Sequence, residues 1–273
     1  MSRSTSTRRA PILAIYATVV FAFIYLPIVV LILYSFNRDG VGGFPPSHLT
    51  LDWYRQLFTD GPIWDSVLNS LLVASGAVAL SLTVGLLAAL ALDRASFPGK
   101  ALFRRLVLLP LILPGIITGL SLLMFVVLSG AQLSLFTVFL GHGTALISVA
   151  TTELFAGLQK SDRAQEEASL DLGVTPWQTF WRITLPNLRL ALVAAGLLIF
   201  TLSMDEIAVT FFLIGRDNTL PLEIWGRLRR GITPEINAVS TLVFAVSVVL
   251  IIVWYRIRMR SVGTEAQQLP ERP

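Results

Sequence analysis

The residues best suited to chemistry in this sequence are two adjacent acids, Asp205 and Glu206, that interrupt an apolar stretch. Residues 190–204 before them carry no charge, and the segment IAVTFFLIG after them is again apolar. An ionised carboxylate in such surroundings costs several kcal/mol unless a partner compensates it. The pair could bind a cation. Two structural interpretations stay open: the pair lies at a membrane surface, or it forms ion pairs with arginines between residues 227 and 230.

A second feature is the charged segment 160–186, KSDRAQEEASLDLGVTPWQTFWRITLP, which separates two apolar stretches. Ser161 or Asp162 can cap a first helix at its start. Gly173 follows that helix and is the residue type that best tolerates the left-handed conformation beyond a helix end. The segment therefore begins with a short helix and a tight turn.

A second helix is predicted directly after this turn. Thr175 and Gln178 have the spacing of a capping box, with Pro176 at the first helical position. Pro186 is expected to end the helix, because proline cannot continue the backbone ladder. Three aromatic residues share one face by their spacing: Trp177, Phe180 and Trp181. That face needs a cover, which could be the protein's own helices, the lipid interface or the groove of a partner.

The elements that position these residues are predicted to be membrane helices. The chain has 273 residues, of which 54% are hydrophobic and 14% charged. Its mean hydropathy of +0.72 is too high for an ordinary soluble domain. A helix needs about 20 apolar residues to cross a bilayer. We predict an all-α fold, a polytopic helix bundle forming one transmembrane domain over residues 1–273. The six predicted spans are 11–35, 66–92, 106–128, 135–158, 188–215 and 236–256.

Charge distribution predicts the sidedness of this bundle. With six spans and the N-terminus inside, fifteen of the 21 Lys and Arg residues fall in cytoplasmic segments. This distribution follows the positive-inside rule, places both termini in the cytoplasm and puts segment 160–186 on the same side. The polar tail, residues 261–273, is predicted to be disordered.

Several kinds of chemistry are excluded or disfavoured. Cysteine is absent, and two histidines, His48 and His142, are too few for a histidine-rich metal centre. There is no Walker-type phosphate-binding sequence and no hydrolase or metalloprotease motif. We therefore predict neither an enzyme nor a metal site. The basic net charge of +4 is explained by arginines on one membrane side, without nucleic acid.

Segment 160–186 also resembles the EAA loop of ABC-importer permeases. The family pattern is Glu-Ala-Ala, three residues, Gly, nine residues and Ile-x-Leu-Pro. It is matched here by Glu167, Ala168, Ser169, Gly173, Ile183, Leu185 and Pro186. Ser169 replaces the usual second alanine, a small residue for a small one. The resemblance implies a coupling loop, residues 159–187, whose first helix docks on a separate ATPase dimer, with Glu167 as the charged contact. That partner would bind ATP and Mg, so this chain would need no cofactor of its own.

Other residues resemble the spermidine/putrescine branch of these permeases. A Trp53-Tyr54 pair lies in the first loop, although an aromatic belt at the membrane surface explains Trp53 equally well. Further matches are a Ser-x-Asp-Glu run ending at Glu206, and an Ile-Trp pair ending at Trp225. The resemblance implies that Asp205, Glu206, Trp53 and Trp225 contribute to a substrate pathway.

The combined expectation is the permease subunit of an ATP-driven importer in a bacterial inner membrane, carrying a small organic cation, most simply a polyamine. Its implied partners are two ATPase subunits, a second homologous permease, an external substrate-binding protein and the lipid bilayer. Alternative solutes are an opine, an amino-acid derivative or ferric iron. A transporter driven by an ion gradient is a different-class alternative, and only the acidic pair fits it.

Overall fold

The structure is a computed structural model that describes residues 9–38, 48–231 and 234–266. Its regular elements are helices, and the one β-bridge among these residues joins Asn37 and Leu49, so the predicted all-α class is confirmed. In chain order the helices are α1 (Arg9–Tyr34), α2 (Asp52–Thr59), α3 (Gly61–Arg94), α4 (Lys100–Leu108), α5 (Gly115–Leu128), α6 (Leu135–Lys160), α7 (Ala164–Asp171), α8 (Pro176–Thr179), α9 (Leu185–Asn187), α10 (Arg189–Met204), α11 (Ala208–Leu213), α12 (Leu220–Arg230) and α13 (Pro234–Ala266). A 3₁₀ turn covers Leu109–Leu111, and a π-helical turn covers Phe180–Thr184.

Three helices are individually long and apolar enough to cross a membrane: Leu13–Tyr34 within α1, α3 and α6. Two bent pairs qualify when each pair is taken together. The first, Lys100–Leu111 with Gly115–Leu128, bends by 105°, and the second, Pro176–Asn187 with Arg189–Met204, bends by 66°. A shorter apolar helix covers Pro234–Val249. This set is consistent with six spans, and the count itself stays a prediction.

Two of the predicted spans contain breaks. In the stretch predicted as 106–128, the chain turns sharply between α4 and α5, where Pro110 and Pro114 lie. Each proline lacks the amide hydrogen that a continuing helix would use. In the stretch predicted as 188–215, α10 ends at Met204 and α11 begins at Ala208, so the two acids fall in the gap.

Contacts divide the chain into two compact units, Gly61–Trp225 and a second made of Met1–Asp60 with Gly226–Pro273. Within the first unit, α3 packs along α6, and α10 packs on both. Small residues allow this close approach. A side-chain carbon added to Gly85 would strike the side chain of Ala150, and Ser81 Oγ donates to the carbonyl of Gly143 at 2.7 Å.

The second unit is built on contacts of α13 with α1 and α2. The Arg227 guanidinium binds both oxygens of Asp60, at 2.6 and 3.0 Å, and also approaches Glu235 at 3.8 Å. The described residues bury none of the apolar window of Leu13–Tyr34. Such a helix is suited to lipid or to another membrane helix.

The C-terminal segment predicted to be disordered, residues 261–273, is described only in part, and its disorder stays a prediction. Helix α13 continues through Ala266 and so includes the first residues of the segment predicted to be disordered. Residues 267–273 lie outside the described residues. The single transmembrane domain over residues 1–273 stays a prediction.

Candidate functional site

The predicted loop between the apolar stretches forms two short helices in a hairpin. Asp162 Oδ1 accepts from the amide of Ala164 at 3.0 Å and so caps α7. Gly173 has a φ of +80°, the left-handed conformation that was predicted for it. Thr175 and Gln178 form the predicted capping box at the start of α8, with both contacts at 3.4 Å.

The second helix ends at Asn187, one residue beyond the end predicted at Pro186. The chain stays helical through Asn187, because a π-helical turn over Phe180–Thr184 precedes the proline. A π turn widens the backbone ladder locally, which makes room for a ring that would otherwise collide with the carbonyl four residues earlier. The bend follows later, where α9 meets α10 at Leu188.

An ion pair ties this hairpin to the end of α3. Arg94 donates to both carboxylate oxygens of Glu166, each at 2.5 Å. Thr184 Oγ1 donates to the same carboxylate at 2.7 Å. Glu166 is buried, so its charge is satisfied by a cation and a hydroxyl rather than by water. One carboxylate therefore joins α3, α7 and the π turn.

A second acid reinforces the attachment. The side chain of Asp93 is only 2% exposed and accepts from Arg163 Nη2 at 2.6 Å. Gln159, near the end of α6, donates to its other oxygen at 2.5 Å. The connection between α6 and α7 is thereby fixed to α3.

The residues that match the family pattern fall into exposed, half-buried and buried sets. Glu167, Ala168, Gly173 and Pro186 are exposed, Ile183 and Leu185 are half-buried, and Ser169 is buried. Ser169 Oγ lies 3.0 Å from Thr179 Oγ1, so the hydroxyl that replaces the usual alanine has a partner in the second helix.

The aromatic face predicted for the second helix is largely uncovered within the chain. Trp177 is 68% exposed and Trp181 is 50% exposed, and their rings meet edge to face with centroids 5.5 Å apart. Leu172, in the turn, is 84% exposed. An exposed apolar surface of this kind is typical of an interaction site.

The acidic pair lies in the break between α10 and α11. Asp205 is exposed and Glu206 is half-buried. Glu206 Oε1 accepts from the amide of Val209 at 2.9 Å, so this carboxylate caps α11. Neither acid has an ion pair with a described residue of its own unit. Arg227, considered from sequence as a partner, binds carboxylates within the other unit.

Helix ends compensate the charge of Glu206. Besides capping α11, its carboxylate lies beside Gly115, where the carbon of an added side chain would be 3.6 Å from Oε1. Gly115 is the first residue of α5, so the N-terminal ends of two helices face this group. Helix N-termini carry a partial positive charge that stabilises an anion. The sequence interpretations included only a water-exposed or arginine-paired acid and missed this arrangement.

His142 of α6 bonds to the helices that precede and follow the same break. Its Nδ1 is 2.8 Å from Ser203 Oγ in α10, and its Nε2 is 2.9 Å from Thr210 Oγ1 in α11. Thr210 in turn donates to the carbonyl of Glu206 at 2.9 Å. Both ring nitrogens are occupied in a buried site, so His142 is a satisfied structural histidine that connects the two helices around the break.

The two predicted pathway tryptophans belong to different units. Trp225 stacks edge to face on Phe211 of α11, with centroids 5.8 Å apart, and so lies near the helix that follows the acidic pair. Trp53 is half-buried in the other unit and donates its indole N–H to the carbonyl of Asn37 at 2.8 Å. Among the described residues, no group of His, Asp and Glu is placed to hold a metal ion.

Comparison with known proteins gives the family of the chain. Residues 81–262 match the family model described as "Binding-protein-dependent transport system inner membrane component". The putrescine transport system permease protein PotI of Escherichia coli K12 is 36% identical over 244 residues, which cover 86% of each chain. The spermidine/putrescine transport system permease protein PotC of Haemophilus influenzae is 33% identical, over 86% of this chain and 91% of its own.

The chain belongs to this family of inner-membrane transport components. Solved structures agree with its fold. A bacterial ABC transporter that imports the acidic polysaccharide alginate matches with a TM-score of 0.71 at 16% identity, over 95% of this chain and 98% of its own. The methionine ABC transporter MetNI, in an inward-facing conformation, matches with a TM-score of 0.55 at 17% identity, over 78% and 99%.

For this inner-membrane component, the sequence prediction named Glu167 and missed the neighbouring Glu166. Adjacent glutamates look equivalent in a pattern, and only the fold shows that one faces Arg94 while the other faces solvent. The sequence feature that could have indicated a buried acid in this hairpin is Arg94, an arginine at the end of a long apolar stretch. The roles of the matched residues in coupling and transport stay predictions.

We expect Glu166→Gln to loosen the hairpin, because Arg94 loses its buried countercharge while Thr184 keeps an acceptor. Charged hydrogen bonds of this kind contribute about 2 kcal/mol. Hydrogen–deuterium exchange of residues 164–188 should accelerate in this variant. Glu167→Gln makes the same chemical change on the exposed side and serves as the matched control. Equal exchange in the two variants would contradict the assignment of Glu166 as the anchor.

Proposed function

We propose that this chain is the permease subunit of an ATP-driven importer and forms the pathway for a small organic cation of the polyamine class. The observation that carries the substrate class is the similarity, over most of both chains, to the putrescine and spermidine/putrescine permeases. The acidic break supports it, because a carboxylate pair is suited to transient contact with an ammonium group.

ATP binding and hydrolysis belong to separate subunits in this proposal, and those subunits also hold the Mg ion. The hairpin formed by α7 and α8 is the surface on which they dock. Its support is physical: Trp177, Trp181 and Leu172 leave apolar area uncovered, and Glu167 is an exposed charge on α7 of the same hairpin. The ties through Arg94 and Asp93 would transmit a displacement of the hairpin to α3 and α6.

Transport proceeds by alternating access in this proposal. A binding protein outside delivers the substrate, a second homologous permease completes the pathway, and both termini of this chain lie in the cytoplasm. The permease needs weak contacts, since a substrate held too tightly would not be released. Asp205 is the more available of the two acids, because Glu206 already caps α11.

The first test is ATP hydrolysis by the reconstituted complex, purified through a tag on this chain. Spermidine- or putrescine-loaded binding protein is expected to stimulate hydrolysis, while the unloaded protein is not. A co-purifying ATPase that ignores polyamines would retain the ATP-driven class and reject the substrate. Absence of any ATPase would favour a transporter driven by an ion gradient.

Glu167→Lys is expected to reduce stimulated hydrolysis at least about tenfold, because it reverses the charge on the proposed docking surface. The hairpin itself should remain folded, since Glu167 is exposed. Asp217→Lys, an equal charge reversal at another exposed position, is the control. Normal hydrolysis and normal ATPase co-purification in Glu167→Lys would refute this docking surface.

The double variant Asp205→Asn with Glu206→Gln is expected to lower polyamine uptake at least about tenfold, because a charged contact with the ammonium group is lost. Gln at 206 keeps an oxygen that can accept from Val209, so the cap on α11 survives while the charge does not. Asp217→Asn provides the comparison. Unchanged uptake in the double variant would eliminate the cation-site hypothesis.

A further inference from the structure

A groove of about 470 Å³ lies between α4, the end of α3 and the last third of α6. Its lining combines apolar and basic side chains: Leu92, Lys100, Ala101, Arg104, Arg105 and Phe155. Leu92 is buried and Phe155 is half-buried, so the floor is apolar. The three cations lie along α4, so one side of the groove is strongly basic.

In the part of the chain that the structure describes, the basic residues of this groove have no acidic partner. Among the described residues, no carboxylate forms an ion pair with Lys100, Arg104 or Arg105. Lys100 Nζ donates to the carbonyl of Ala95 at 2.8 Å, and the Arg104 guanidinium lies 5.3 Å from the centre of the Phe155 ring. A guanidinium lying over a ring still presents donors that suit phosphate oxygens.

The amphipathic character of α4 favours a position at a membrane surface. The Lys100–Leu111 segment bends by 105° from α5, and the positive-inside rule assigns its basic residues to the cytoplasmic surface. Leu102 and Leu106 are one turn apart and are 60% and 57% exposed. A short helix with exposed leucines on one side and arginines on another is typical of the lipid interface.

We propose that this groove binds one anionic phospholipid. Its phosphate would contact Arg104, Arg105 and Lys100, and the start of an acyl chain would cover Leu92 and Phe155. The positive charge of the three basic side chains favours an anionic ligand, and the apolar floor favours a ligand that also carries a hydrocarbon chain. Basic pockets between membrane helices bind acidic headgroups in this manner. A free phosphate would satisfy the arginines and leave the floor uncovered.

The lipid would lie next to the attachment of the hairpin. Leu92 directly precedes Asp93 and Arg94, which hold α7. Phe155 is one turn before Gln159, which donates to Asp93. An acyl chain against Leu92 and Phe155 would therefore fill the space behind the residues that anchor the hairpin. This proposal does not depend on the transported substrate.

The test uses the full-length chain, purified from membranes with the subunits that accompany it and then delipidated. Native mass spectrometry follows binding of added phosphatidylglycerol, phosphatidylethanolamine and glycerol 3-phosphate. Arg104→Gln with Arg105→Gln is expected to weaken phosphatidylglycerol binding roughly tenfold. Lys160→Gln with Arg189→Gln removes two exposed charges elsewhere on the same predicted side and should leave binding unchanged.

Several results would overturn the proposal. One is that phosphatidylethanolamine binds as tightly as phosphatidylglycerol. Another is that glycerol 3-phosphate displaces phosphatidylglycerol. A third is that the Arg104/Arg105 variant binds phosphatidylglycerol as tightly as the unsubstituted protein does. A photo-crosslinker at Ala101, which lines the groove, identifies the occupant directly. A mass increase of one phosphatidylglycerol supports the site. A crosslink to a protein chain would show that a subunit covers the groove.

Discussion

The bidentate contact between Arg94 and Glu166 is the interaction on which the arrangement of the hairpin depends. Arg94 is the last residue of α3, whose remaining length packs on α6 through glycine and alanine contacts. A guanidinium paired with a buried carboxylate is costly to separate, because either partner alone would be an uncompensated charge. The contact therefore attaches the hairpin to the end of α3. Thr184 extends the same constraint into the helix that leads to α10.

The break at the acidic pair follows a different principle. A carboxylate inside a strongly apolar stretch requires compensation, and here the backbone supplies it instead of an arginine. The amide of Val209 in α11 donates to Glu206, the first residue of α5 lies beside the same carboxylate, and His142 bonds to the helices on both sides of the break. The neighbouring Asp205 side chain caps no helix among the described residues and is exposed. Two neighbouring acids thus have separate physical roles, one structural and one accessible.

The sequence correctly predicted those features that depend only on residues close together in the chain. The positive φ of Gly173, the capping box of Thr175 and Gln178, and the long apolar helices follow from spacing and residue type alone. The π turn, the capping by Glu206 and the burial of Glu166 could not be predicted in this way. Each depends on which residues from distant parts of the chain pack against it, as Arg94 at the end of α3 packs against Glu166. The aromatic face was predicted correctly as a surface, but the sequence did not specify its cover.

The π-helical turn over Phe180–Thr184 also determines how the two ends of the hairpin's second helix are oriented. Geometrically it is a one-residue insertion in an α-helix, whose residues are otherwise spaced by 100° about the axis. If the same residues were wound as an ordinary α-helix, the extra residue would no longer be absorbed, and the indole of Trp177 would rotate by roughly that angle relative to Asn187. The tryptophans would then point away from their present direction although composition and helicity scarcely changed. The phase of the helix, as much as its residues, specifies where this surface faces.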